Sequence, residues 1–446
     1  MNSKPEPAIE TGERSSRLLV LALLAPVAGA ATGLLGAIFR LSLERADRFR
    51  DALVVWAHGR TAAGFLLVVA VCALATATAA WLVRRFSPAA SGSGIPNVEA
   101  VLAGHVQEAP FVLIPVKFIG GLLAIGAGLA LGREGPSVQM GASTSYLVGK
   151  IFKRNWPDCR VLLAAGAGAG LATAFNAPIA GSIFVLEELI RRFEPRIAMV
   201  ALGASSTAIF VARLFLGDAP DFHVRALSFP SHGTKFLYFV LGLLAGLVAI
   251  GYNHAILGAI AAAERLRRWP VELRAALIGA AVGTMAWFAP GLVGGGDPIT
   301  QRTLEGIGAL ALIPLLFSLR FGLGAVSYAA ATPGGLFAPL LVLGAQLGLL
   351  FGLACHSAFS GLFIQPEAFA VVGMAAFFAG VVRAPLTGIV LVTEMTGSIT
   401  MLLPMLGACF AAMLVTTLLR NPPIYDSLGV RPLKASRSEI RSSTPD

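Results

Sequence analysis

Apolar runs of about twenty residues alternate along this chain with short polar or charged stretches. The plainest runs are Leu18 to Phe39, Ala62 to Val83, Lys235 to Leu257 and Met401 to Leu419. An α-helix of that length crosses roughly 30 Å of hydrocarbon. No soluble core needs so many, and the pattern predicts an all-α, polytopic membrane protein. The first sixteen residues are polar. The apolar stretch after them continues to about residue 40 without a small-residue cleavage site, so it reads as a first membrane helix and not as a removed signal peptide.

Composition and charge narrow this picture. Of 446 residues, 56% are apolar and 13% charged, and the mean hydropathy of +0.78 lies far outside the soluble range. Fifty glycines and 26 prolines point to close helix packing and to helices broken inside the bilayer. The net charge of +10 does not indicate nucleic acid, because Lys and Arg fall mostly in loops and tails. Lys4, Arg14 and Arg17 precede the first span, and Arg431, Lys434, Arg437 and Arg441 follow the last. Both ends are therefore expected on the cytoplasmic side of the inner membrane, with an even number of crossings. Cys72, Cys159, Cys355 and Cys409 are far apart, and the six histidines form no ligand pattern. No metal, disulfide framework or cofactor is expected. An enzyme using Arg133 and Glu134 as an acid/base pair is disfavoured, since no nucleophile or cofactor motif accompanies them.

The two halves of the chain resemble each other. NAPIAGSIFVLEEL at 176–189 matches RAPLTGIVLVTEM at 383–395, placing Pro178 over Pro385 and Glu187 over Glu394, an offset of 207 (385 − 178). EGPSVQMGA at 134–142 matches FAPLLVLGA at 337–345, an offset of 203 (339 − 136, from the paired prolines). Two matches in the same order at nearly one offset imply a duplicated unit. The expected organisation is a short segment 1–16, a membrane unit 17–431 with halves of about 17–220 and 235–431, and a polar tail 432–446. Duplicated halves in transporters commonly meet in opposite orientation around a midplane site lined by broken helices.

Gly and Pro clusters mark the break points: SGSGIP at 91–96, GREGP at 132–136 and GGLFAP at 334–339. Each reads as a loop that opens into a helix, so each can aim free N–H groups and a positive dipole end at one point. Such ends bind anions, and their partial charges release an ion more readily than a buried Arg or Lys would. Beside them, Glu134 is a carboxylate able to occupy an anion site and leave when protonated. Glu187 and Glu188 lie about ten residues past Pro178, roughly 15 Å by helical rise. Acids in such apolar surroundings are usually functional. Lys117, Glu99, Arg383 and Glu394 are expected to pair with one another.

GSGIP at 92–96, GREGP at 132–136 and GLFAP at 335–339, in this order and spacing and with the Tyr425 region after them, resemble the three anion-pathway signatures of the CLC chloride channel and chloride–proton antiporter family. The likeness runs from about residue 17 to about 430 and implies the CLC fold: two inverted-topology repeats with broken or re-entrant helices, assembled as a homodimer in lipid. It further implies chloride/proton exchange. Ser93 and Tyr425 match chloride-coordinating side chains, while Leu336 and Phe337 match positions offering backbone N–H groups. Gly92, Gly94, Gly132, Gly135 and Gly335 are the motif glycines. Glu134 matches the gating glutamate and outer proton acceptor, and Glu188 the inner proton relay, which is not acidic in many channels of the family. Glu187 matches its acidic neighbour. A passive chloride channel of the same fold is the alternative. Ser93 favours chloride over nitrate or fluoride, since branches suited to those anions usually change this motif.

Overall fold

The computed structural model describes residues 8–229, 233–307 and 312–429, with side chains from Leu18 onward. The tail 432–446, Arg431, and the side chains of Lys4, Arg14 and Arg17 lie outside the described residues. The first series of helices is α1 (Ala8–His58), α2 (Thr61–Phe86), α3 (Ile95–Leu102), α4 (Leu113–Gly126), α5 (Glu134–Ile151), α6 (Trp156–Phe175), α7 (Pro178–Phe184) and α8 (Pro195–Leu216). The second is α9 (Lys235–Arg265), α10 (Val271–Phe288), α11 (Asp297–Leu304), α12 (Ile313–Tyr328), α13 (Phe337–Ala358), α14 (Pro366–Val382), α15 (Pro385–Thr396) and α16 (Leu402–Leu418). Among the described residues, seven helices are long and apolar enough to cross a membrane by length and composition. The first helix begins at Ala8, within the polar stretch that precedes the apolar run.

The two series repeat each other in packing as well as in order. A side chain at Gly29 or Gly33 on α1 would overlap the backbone of Ala204 or Ala208 on α8, and one at Gly242 or Gly246 on α9 would do the same to Ala408 or Ala412 on α16. Gly141 meets Gly166 between α5 and α6, just as Gly344 meets Gly373 between α13 and α14. Small residues at these contacts let helix backbones approach where lipid provides no hydrophobic drive for association. Helices α6 and α14 are buried nearly all round and form the centre of their halves.

The opposite orientation of the halves is visible where α7 meets α15. Glu394, near the end of α15, accepts the N–H groups of Ile179 and Ala180 at the start of α7 (3.1 and 2.8 Å). Glu187, just past the end of α7, accepts those of Leu386 and Thr387 at the start of α15 (2.9 and 2.7 Å). Each helix thus caps the other's first turn, which only an antiparallel, two-fold related pair can do. Carboxylates satisfy the orphan N–H groups and the positive dipole end of these first turns.

Candidate functional site

The three Gly–Pro clusters do open into helices, and the fold brings their starts together. Gly94 precedes α3 with φ +86°, and Gly92 has φ +62°, backbone that a glycine adopts without strain. Gly92 N–H donates to Thr332 O (3.1 Å), and Gly334 N–H donates back to Gly92 O (3.0 Å). Gly132 and Gly335 exchange two bonds (2.9 and 2.7 Å). The first cluster is therefore tied to the third, and the second to the third. A Cβ on Gly135 would lie 2.6 Å from Ser93 O and 2.9 Å from Ser93 Cα, so α5 starts against the Ser93 loop only because Gly135 has none. A side chain at Gly335 would collide with the Glu134 carboxylate.

Glu134 is wholly buried as the first residue of α5. Its Oε1 accepts the N–H of Phe337, the first residue of α13, at 2.6 Å, while Oε2 has no hydrogen-bond partner among the described residues. A carboxylate is thus seated on a helix start where backbone N–H and dipole favour negative charge. Ser93 Oγ and Tyr425 OH, exposed by 1% and 0%, lie beside one another, and neither has a hydrogen-bond partner among the described residues. Even if one donates to the other, at least one buried O–H is left without an acceptor, which is costly unless something accepts from it. The fit to an anion is direct, since each supplies one O–H without a fixed charge. The Phe337 ring packs among Phe175, Phe184, Phe378 and Tyr425 (centroids 6.3, 5.8, 4.6 and 6.0 Å). Leu336, just before α13, is also fully buried.

Glu188, in the turn that follows α7, is buried, with 3% of it exposed. Tyr425 is within electrostatic reach of both Glu188 and Glu134. The regular helix expected from Pro178 through Glu188 stops at Phe184, and Val185–Leu189 forms a π turn. Such turns are rare and frequent at functional sites. Glu188 lies beside Glu99 of α3. The Arg191 guanidinium serves both carboxyls and Asp426, at 3.9, 3.7 and 2.5 Å.

A family model described as voltage gated chloride channel matches residues 73–417. The chain belongs to this CLC family. Among similar family members, the H(+)/Cl(-) exchange transporter ClcA of Citrobacter koseri is 34% identical over 437 residues, covering 96% of this chain and 92% of that protein. The ClcA exchange transporter of Yersinia pseudotuberculosis is 36% identical over 451 residues, covering 97% and 92%. A slow cyanobacterial Cl-/H+ antiporter of known structure superposes with a TM-score of 0.89 at 31% identity, covering 97% of this chain and 99% of that one. A eukaryotic CLC transporter shares the fold, with a TM-score of 0.79 at 24% identity and coverage of 93% and 74%.

Within this CLC chain the remaining intramembrane charges do not pair with one another as expected. Lys117 Nζ donates to the carbonyls of Ala90 and Gly92 (3.0 and 2.8 Å). Glu99 sits with Arg191, Glu394 caps α7, and Arg383 bonds Thr417 and the Asn421 carbonyl (2.7 and 2.5 Å). Arg133 turns away from its neighbour Glu134 to Asp297, Asp221 and the Ala174 carbonyl. Sequence reasoning also passed over a fourth cluster, GGGDP at 294–298, which opens α11. Gly294 and Gly296 (φ +79° and +103°) repeat Gly92 and Gly94, and Arg320 binds the carbonyls of Leu292, Gly294 and Gly295 as Lys117 binds those of the first loop. The signal was present, since Pro298 stands 202 residues after Pro96 (298 − 96). Tyr328, which accepts the Ser93 N–H at 3.3 Å, left no local signal.

Proposed function

We propose that this protein exchanges chloride for protons across a membrane, with Glu134 as gate and outer proton acceptor and Glu188 as inner proton relay. The observation that carries this reading is the Glu134 carboxylate on the Phe337 N–H, where α5 and α13 begin, close to the unpartnered hydroxyls of Ser93 and Tyr425. A carboxylate there stands in for an anion. Protonation removes its charge and with it the attraction to the helix starts, so chloride can take its place. In this reading Ser93, Tyr425 and the N–H groups of Leu336 and Phe337 bind chloride. Glu188, buried beside Glu99 and within electrostatic reach of Tyr425, gives protons a route apart from the anion path. The names of the ClcA relatives and of the cyanobacterial antiporter support exchange over passive conduction. The same likeness supports a homodimer in the inner membrane, both termini cytoplasmic, with repeat halves at about 17–220 and 235–431.

The test is a liposome assay recording chloride and proton movement together. An outward chloride gradient drives proton movement against its own gradient if the protein is an exchanger, and chloride flux with no coupled protons identifies a channel. The same assay examines selectivity. Ser93→Pro is expected to weaken preference for chloride over nitrate by roughly threefold to tenfold, because one hydroxyl hydrogen bond to a charged group is lost while backbone donors remain. An unchanged anion ranking in competition flux removes Ser93 from the selectivity site.

A further inference from the structure

Glu187 and Glu394 occupy equivalent places in the two halves, but their surroundings differ in two respects. Glu394 accepts two backbone N–H groups, whereas Glu187 accepts two and also the Thr387 hydroxyl (2.7 Å), because Thr387 stands where the first half has Ala180. The second difference is the backbone beneath them. Residues around Glu394 continue as α-helix to Thr396, whereas Glu187 and Glu188 sit in the π turn, where Ile190 N–H reaches back to Val185 O (2.9 Å). A π turn replaces the usual i to i−4 bonds with wider ones, so its side-chain directions depend more on what each side chain holds. Neighbouring residues on a helical turn point roughly 100° apart. With Glu187 fixed on the start of α15, Glu188 is turned to Glu99 and the interior. A cavity of about 690 Å³, lined in part by Glu187, Glu188, Arg191, Arg192 and Leu386, lies alongside. It leaves room for the turn to reorient once Glu187 is released.

We propose that Glu187 is a positioning residue: by capping the first turn of α15 it holds the π turn so that Glu188 stays aimed at the interior for proton relay. This rests on the relay reading of Glu188. In this proposal Glu187 acts through the three donors it holds at the start of α15 and not as a proton carrier. The mirror cap at Glu394 has no relay beside it, and its removal loosens α7 without changing coupling.

The full chain in liposomes tests this, with the proton-to-chloride ratio and thermal stability measured for each variant. Glu187→Ala is expected to lower the ratio at least roughly threefold, the scale of a lost charge-assisted hydrogen bond, while chloride flux persists. Glu187→Gln keeps an acceptor oxygen and is expected to recover at least half of the wild-type ratio. Glu394→Ala is expected to lose comparable thermal stability at a wild-type ratio. A wild-type ratio in Glu187→Ala, or in Glu187→Ser if the alanine variant does not fold, overturns the proposal. So does an equal loss in the glutamine and alanine variants, which makes Glu187 a proton carrier, or an equal loss in Glu394→Ala, which reduces both caps to general packing. Absence of coupling in the wild type, or full coupling in Glu188→Gln, refutes the exchange or relay reading itself and this inference with it.

Discussion

Glu188→Gln is expected to stop chloride-driven proton uptake into liposomes, by at least roughly the hundredfold associated with losing a positioned acid/base group, while substantial chloride flux remains. Glutamine has nearly the volume of glutamate but does not accept and release protons near neutral pH. Glu188 is buried beside Glu99 with Arg191 3.9 Å away, and an amide of nearly the same volume does not leave a void. Folding is expected to survive. Chloride keeps its route in the proposed mechanism, because Ser93, Tyr425 and the Phe337 N–H are left unchanged. Uphill proton movement at the wild-type rate in this variant would make Glu188 structural.

Glu134→Gln and Glu134→Ala are expected to abolish proton coupling as completely, while chloride permeation continues. Here the reason is different, since in the proposed mechanism Glu134 occupies the anion position itself. A neutral side chain neither carries the proton nor competes as an anion, and the Phe337 N–H, now held by Glu134 Oε1 at 2.6 Å, is freed for chloride in the alanine variant and faces only a neutral amide oxygen in the glutamine variant. The alanine variant is expected to conduct faster than the glutamine variant, because it also empties the volume the side chain fills. Simultaneous recording of both ions checks this, and wild-type proton pumping by either variant sinks the gate assignment.

Glu134 was legible in the chain because GREGP is local: the glycines, the acid and the proline lie within five residues, and their conformational demands follow from their own chemistry. Its partner was not. Phe337 is 203 residues away (337 − 134), and nothing in the GLFAP cluster alone says that its first N–H will hold that carboxylate. Glu99 shows the same limit. As an acid on a short helix within an apolar region it was visible as unusual, but its proximity to Glu188 depends on how α3 and the π turn meet.

Apolar run length, Gly–Pro punctuation and the repeated NAPIAGSIFVLEEL and RAPLTGIVLVTEM segments determined the helical membrane class, the duplication and the three helix starts, because hydrophobic periodicity and backbone permissiveness belong to each segment. Tertiary structure alone decided where the buried charges went. Lys117 and Arg320 found loop carbonyls, Glu187 and Glu394 found each other's helices, and Arg133 turned to Asp297 and Asp221. The physical reason is that a charge in an apolar interior must be met by whatever donor or acceptor the packed fold brings within about 3 Å, and in this protein that group usually comes from a distant part of the chain.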